Sequence, residues 1–160
     1  MATRTGIGQD SHRFLNEGAE KPCIIAGTVF DDAPGFDANS DGDVVYHALC
    51  NAVTSLTGVV IMGGIADKLC LEEGITDSRI YLKKALETLG GQKIVHAAVT
   101  LEGKRPKFRQ RYDAMRAKIA EALGIELHQV GLTATSGEGL TGFGRGEGVQ
   151  CFSLLTVEDQ

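Results

Sequence analysis

The chain is expected to fold as a mixed α/β (α+β) domain: a mixed β-sheet with three main helices packed on one face. Three observations predict this. Hydrophobic periodicity switches repeatedly between a strand-like period of two and a helix-like period near 3.6. The run Val149-Gln150-Cys151-Phe152-Ser153-Leu154-Leu155-Thr156-Val157 is apolar on both faces for much of its length, as a central strand requires. Capping and turn residues also punctuate the periodic segments where they change character.

Taken in order, residues 4–10 read as a strand, and 22–30 as a second strand broken near Gly27. The first helix begins after Ser40-Asp41-Gly42, whose short polar side chains can accept from free backbone amides. It carries Val45, Leu49, Ala52, Val53 and Leu56 on one stripe and ends at Gly58. Asp43, His47 and Asn51 recur at a spacing of four beside that stripe, which places Asp43 where it can orient His47. A weaker helical turn is expected around 65–69. Asp77-Ser78 opens a second helix with Ile80, Leu82, Ala85, Leu86 and Leu89, stopped by Gly90-Gly91. Strands are expected at 93–102, 129–135 and 148–157, and a third helix from about Gln110 to Leu123, stopped by Gly124.

A chain of 160 residues with 42% hydrophobic content can bury one real core, and nothing resembles a linker, so 1–160 is read as a single domain. The net charge of −5 and the lack of a basic run argue against nucleic acid and against a polybasic membrane surface. The N-terminal residues contain no apolar signal core, and the longest apolar stretch, 58–66, is too short to span a bilayer. Cys23, Cys50, Cys70 and Cys151 form no Cys-x-x-Cys pair and read as reduced, mostly buried residues. A cytoplasmic location is expected.

Chemistry is concentrated in two places. On an extended strand alternate residues share a face, so Asp10 and His12 can reach one point, and a helix-borne His47 can complete a three-ligand metal site. Three protein ligands leave a position open, the mark of a catalytic zinc and not a structural one. His96 and His128 have no second ligand near them in sequence and are read as ordinary histidines.

The second place is the glycine-rich run from Thr133 to Gly148. Gly137, Gly139 and Gly142 satisfy G-x-G-x-x-G, but more glycine and then a strand follow, where a dinucleotide-binding turn needs a helix N-terminus. The run instead reads as a loop offering the Thr135 and Ser136 hydroxyls, the Glu138 carboxylate and the Arg145 guanidinium. A carboxylate among phosphates makes sense when a hard cation such as Mg²⁺ lies between them. Arg105-Pro106-Lys107-Phe108 presents two cations at a rigid turn, a solvated pair by default or a supporting contact to a phosphate or base.

From Gly6 to the C-terminus the chain resembles the 2-C-methyl-D-erythritol 2,4-cyclodiphosphate synthase family, lyases of non-mevalonate isoprenoid synthesis. The resemblance is carried by Gly8-Gln9-Asp10-Ser11-His12, Ser40-Asp41-Gly42-Asp43 with His47-Ala48, Asp77-Ser78-Arg79, Pro106-Lys107, and Ala134-Thr135-Ser136-Gly137-Glu138 leading to Gly144-Arg145-Gly146-Glu147-Gly148. It implies zinc on Asp10, His12 and His47, a second divalent cation, Mg²⁺ or Mn²⁺, on Glu138, and a homotrimer with active sites between subunits. It also implies catalytic positions at Ser136 and Asn39. Substrate contacts are implied at Asp10, Ser11, His12, Asn39, Ser40, Pro106, Lys107, Thr135, Ser136, Gly137, Glu138 and Arg145, with Arg145 and Glu147 paired near the three-fold axis.

The implied reaction is closure of 4-diphosphocytidyl-2-C-methyl-D-erythritol 2-phosphate to the cyclic diphosphate with release of cytidine monophosphate. The chain departs from the family pattern in four places: Asn39 stands for a family His, Asn51 for an Asp, and Leu140-Thr141 for Leu-Gly, while a shortened Leu69-Cys70-Leu71-Glu72-Glu73-Gly74 replaces a Phe-Pro-Asp-Thr-Asp-Pro loop. The alternative reading is a non-catalytic trimeric metal-binding scaffold or isoprenoid-diphosphate sensor. A generic zinc hydrolase is disfavoured, since Asp43 is the only candidate base beside the ligands.

Overall fold

The computed structural model describes residues 2–160. Strand β1 (Thr3–Arg13) runs past the predicted end at residue 10 because it pairs along its whole length with β6 (Gly148–Glu158), from Thr3 opposite Glu158 to Arg13 opposite Gly148. Polar residues at 10–12 hide that continuation in the sequence. With β4 (Lys93–Glu102) and β5 (Val130–Thr135) these strands form one mixed sheet in the order β1-β6-β4-β5. Strand β6 is antiparallel to both neighbours, and β4 and β5 are parallel. The C-terminal strand is central, as its two-sided apolar pattern predicts.

The segment 22–30 is not a broken strand of that sheet. It is a separate hairpin, β2 (Cys23–Ile25) and β3 (Thr28–Phe30), with Ala26 and Gly27 as a two-residue loop, both at positive φ (52° and 63°). Two positive-φ residues make a type I′ turn, whose twist suits a tight hairpin. An alanine is strained there. The Asp43 carboxylate holds it by accepting the Ala26 N–H at 2.8 Å and the Gly27 N–H at 2.7 Å.

The same carboxylate caps α1 (Val44–Thr57), accepting from the Val45 and Tyr46 amides at 3.1 and 3.2 Å. Burial pushes the Asp43 carboxyl up to about 6 and the Asp41 charge adds to this, while the Gly27, Ala26 and Tyr46 amides pull it down. Gly58, at φ 77°, ends the helix by donating to the Thr54 carbonyl at 2.8 Å. Helix α1 lies across β1 so closely that a Cβ on Gly6 or Gly8 would collide with the Ala52 or Ala48 carbonyl of the helix. These two glycines set the strand-to-helix distance.

Among the described residues there are four α-helices where three were expected. The turn predicted around 65–69 extends into α2 (Ala66–Glu73), reached from α1 through a sharp bend of 99°, so Leu69 to Glu73 are helical and not a loop. Its exposed, charged side chains carry little apolar periodicity, which is why the pattern is weak in sequence. Helices α3 (Ser78–Glu87) and α4 (Tyr112–Leu123) complete the layer. The helical face of the sheet buries Leu101, Cys151, Leu155 and Val157 against α1 and its neighbours. The other face is open: Ile7 is 56% and Leu154 42% exposed, and the two are paired across β1 and β6.

All four cysteines are free, and Cys23, Cys50 and Cys151 are buried. Burial pushes the Cys23 thiol up to about 12 and raises Cys50 and Cys151 as well, so these are apolar packing groups. Among the described residues no single helix is long and apolar enough to cross a membrane.

Removing the Asp43 acceptor strands four backbone N–H groups. Asp43→Ala is expected to cost roughly 3–5 kcal/mol, read as a lower urea midpoint with an unchanged m-value, and Asp43→Asn, which keeps one oxygen, should cost less.

Candidate metal centre

Strand alternation carries Gly6, Gly8, Asp10 and His12 toward α1, and the glycine-set approach brings the first turn of that helix over the last two. His47 lies four residues beyond the Asp43 cap, so the cap determines where its ring stands. The result is one cluster: Asp10 Oδ2 lies 2.9 Å from His12 Nε2 and 3.2 Å from His47 Nδ1, and the two ring nitrogens are 3.1 Å apart. His47 is 3% exposed, while Asp10 and His12 open partly to solvent.

Ligand atoms about 2.0–2.1 Å from a tetrahedral zinc are separated by about 3.3 Å, and the observed triangle is within a few tenths of an ångström of that. Asp10 Oδ2 is itself buried and has no hydrogen bond of regular geometry, as expected of a lone pair reserved for an ion. Burial pushes the Asp10 carboxyl up, but the His12 and His47 rings more than offset this and hold it below the ordinary carboxylate range. It is therefore ionised at neutral pH, as a ligand must be. The residues present fit a divalent transition metal with one position open toward a cavity.

That cavity, of about 310 Å³, is bounded by Asn39 and Ser40 on one side and by Met62, Asp67, Cys70 and Tyr81 on the other. The Asn39–Ser40 segment is held from behind by Lys21, whose ammonium donates to the carbonyls of Phe36, Ala38 and Ser40 at 2.9, 2.7 and 2.6 Å. All three of its protons are used, so Lys21 shapes the wall and is not available to a ligand.

Asp43 does not orient His47. Its oxygens are spent on backbone amides, and His47 Nε2 instead meets the Ser78 hydroxyl at 2.7 Å and the Ser40 hydroxyl at 3.4 Å. Ser78 in turn contacts Asp41: its hydroxyl is hydrogen-bonded to Asp41 Oδ1 and its N–H donates to Oδ2 at 3.0 Å. Asp77-Ser78 announces a helix start in sequence, and Asp77 does cap α3, but nothing there points 31 residues back to His47. Asn51 turns to the Gln9 carbonyl at 2.9 Å, fastening α1 to β1.

The remaining predicted residues are distributed as follows. Ser11 points to the opposite side of β1 from the ligands and is exposed, lining a hollow with Phe143 and Glu147. Pro106 is buried after a cis peptide bond, and the exposed Lys107 donates its N–H to Asp32 at 2.8 Å. Arg145 pairs with Glu147 at 3.2 Å. Ser136 Oγ lies 3.2 Å from Glu138 Oε1 in an exposed turn, with Gly137 and Glu138 at positive φ. This turn runs into β6 and not into a helix, so the G-x-G-x-x-G match builds no dinucleotide site.

Through the sheet register Asp10 faces Cys151, Cys151 faces Leu101 and Leu101 faces Ala134, so Asp10 and the Thr135–Glu138 turn leave the sheet at the same end. They are three strand spacings apart, roughly 14 Å. Within one chain Thr135, Ser136 and Glu138 therefore do not join the cavity beside Asp10, His12 and His47.

Residues 3–158 match the model of the YgbB family. A Chlamydia felis protein named 2-C-methyl-D-erythritol 2,4-cyclodiphosphate synthase is 59% identical over 155 residues, covering 96% of this chain and 88% of that protein. A Chlamydia abortus protein of the same name is 58% identical over the same shares of the two chains. A solved structure of a 2C-methyl-D-erythritol-2,4-cyclodiphosphate synthase superposes with a TM-score of 0.86 at 27% identity, covering 97% of this chain and all of that one.

Lys21→Met should leave three loop carbonyls without their donor. The expected outcome is a loss of about 1–3 kcal/mol in stability and faster hydrogen exchange of the residue 36–41 amides, with the α1 amides unchanged.

Proposed function

The chain belongs to the YgbB family, and on that premise we propose that it is a phosphorus–oxygen lyase closing 4-diphosphocytidyl-2-C-methyl-D-erythritol 2-phosphate to 2-C-methyl-D-erythritol 2,4-cyclodiphosphate. The observation that carries this reading is the convergence of Asp10, His12 and His47 on one point beside a cavity walled by Asn39 and Ser40. An oxygen of the 2-phosphate bonds to the β-phosphorus, the bond from that phosphorus to the oxygen bridging to the α-phosphate breaks, and cytidine monophosphate leaves with that oxygen. No water is consumed and no protein nucleophile is needed.

Both reacting groups are anions, so the barrier is one of charge and alignment. A zinc ion on Asp10, His12 and His47 and a second cation, Mg²⁺ or Mn²⁺, on Glu138 would neutralise the phosphates and draw electron density from the phosphorus. Asn39, in the place of a family histidine, offers a neutral amide donor to a phosphate oxygen, and Ser40 beside it a hydroxyl. Thr135, Ser136 and Gly137 present hydroxyls and an amide to the cytidine diphosphate, with Ser136 a catalytic position next to Glu138. Pro106 and Lys107 flank the base and ribose.

The separation of roughly 14 Å between the two halves of the site supports a homotrimer, in which the Thr135–Glu138 turn of one subunit meets the metal cluster of its neighbour. The open sheet face with Ile7, Phe152 and Leu154 exposed supports the same assembly, since such apolar surface is normally covered. Three buried unpaired thiols support a reducing, cytoplasmic setting.

Release of cytidine monophosphate from the diphosphocytidyl substrate tests the reading. The zinc- and magnesium-supplemented protein should turn over, chelation should abolish turnover, and His47→Ala should lower it by a factor of at least about 10³. Folded, zinc-loaded protein that releases no cytidine monophosphate would instead mark a non-catalytic scaffold.

A further inference from the structure

The contacts behind His47 follow a direction that hydrogen-bond accounting can determine. Asp41 accepts two N–H bonds, from Ser78 N at 3.0 Å and from Asp43 N at 3.0 Å, and its Oδ1 also touches the Ser78 hydroxyl. With both Asp41 oxygens already facing N–H donors, the carboxyl group acts as the acceptor here, and the one hydroxyl proton of Ser78 goes to Asp41. The Ser78 oxygen is then left as an acceptor 2.7 Å from His47 Nε2. Ser40 Oγ, which accepts the Gly42 N–H at 3.2 Å, lies 3.4 Å from the same nitrogen, a much longer contact than that of Ser78, so Ser78 sets the direction. Ser78 is fully buried, so no water competes for this contact.

We infer that Asp41 and Ser78 form a proton-ordering relay that holds the His47 ring in its Nε2–H tautomer and turns the Nδ1 lone pair toward Asp10 and His12. The two are positioning residues: neither is among the residues that line the cavity, and both act through His47 and the wall residue Ser40. A ligating imidazole is oriented by the acceptor on its far nitrogen, and loss of that acceptor costs about 10–100-fold in metal affinity. Here the acceptor is a serine oxygen, made one-directional by the carboxylate behind it. The relay joins three segments, the loop before α1, α1 itself and the first turn of α3, so α3 docking and ligand orientation are one event.

This inference rests on reading the Asp10–His12–His47 cluster as a metal site, and two readouts keep the failures apart. In metal-free wild-type protein, nitrogen-15 spectra of the His47 ring should show the Nε2–H tautomer dominant. Ser78→Ala, checked for folding by circular dichroism, should show mixed tautomers and bind zinc 10–100-fold more weakly in competition with a chromogenic chelator. Asp41→Asn should weaken zinc binding less than Ser78→Ala and keep the Nε2–H tautomer, because its one oxygen at the Oδ1 position still accepts from the Ser78 hydroxyl and the Asp43 N–H while only the Ser78 N–H bond is lost. Ser78→Thr, which keeps the hydroxyl, should restore both readouts. Zinc affinity of Ser78→Ala within twofold of wild type with the tautomer unchanged, or an Nδ1–H ring in the wild-type protein, overturns the relay. If wild-type protein fails to bind zinc while the Nε2–H tautomer is present and lost in Ser78→Ala, the metal reading fails and the relay stands.

Discussion

Four backbone N–H groups from two segments converge on the Asp43 carboxylate, and the site inherits its geometry from that convergence. Two of them belong to a tight hairpin turn and two to the first turn of α1. A buried carboxylate with no countercharge is costly unless its lone pairs are filled, and here the backbone fills them. The helix must start at Val44, and His47, one turn later, must face β1.

The strand contributes by absence. Gly6 and Gly8 bring β1 against the α1 backbone, at a distance that lets the short Asp10 side chain and two imidazoles share a point. Substrate anions that repel one another need fixed positive charge and fixed donors more than they need acid or base groups. The site is accordingly short of general bases: Asp43 is consumed by amides, Asp41 by Ser78, and Lys21 by three carbonyls. Asp43, Asp41 and Lys21 are spent on holding the walls, which leaves the Asp10–His12–His47 cluster, Asn39, Ser40 and the exposed Asp67 to face the cavity.

Legibility in the sequence followed the range of the interaction. Asp10 and His12 share a face by strand alternation alone, the α1 start is written in Ser40-Asp41-Gly42-Asp43, and β6 is recognisable as central because it is apolar on both sides. Helix α2 reads as no more than a turn in sequence because it is mostly exposed, and helical periodicity is visible only where one face is buried. The 22–30 segment reads in sequence as one interrupted strand because Ala26 gives no turn signal; its positive φ is imposed by Asp43 from 17 residues away.

By itself the sequence determined the mixed α/β class, the three residues that converge as a candidate metal cluster and, through its resemblance in motif order and spacing, the family to which the chain belongs. These rest on local periodicity and on residue types whose chemistry is intrinsic. Only the tertiary structure decided that Ser78 and not Asp43 stands behind His47, that Lys21 braces the Asn39 wall, and that Glu138 leaves the sheet three strands from Asp10. Each of those is a contact or separation between segments distant in the chain. Such relations depend on how the sheet orders its strands and how closely helices approach them, which no single segment encodes.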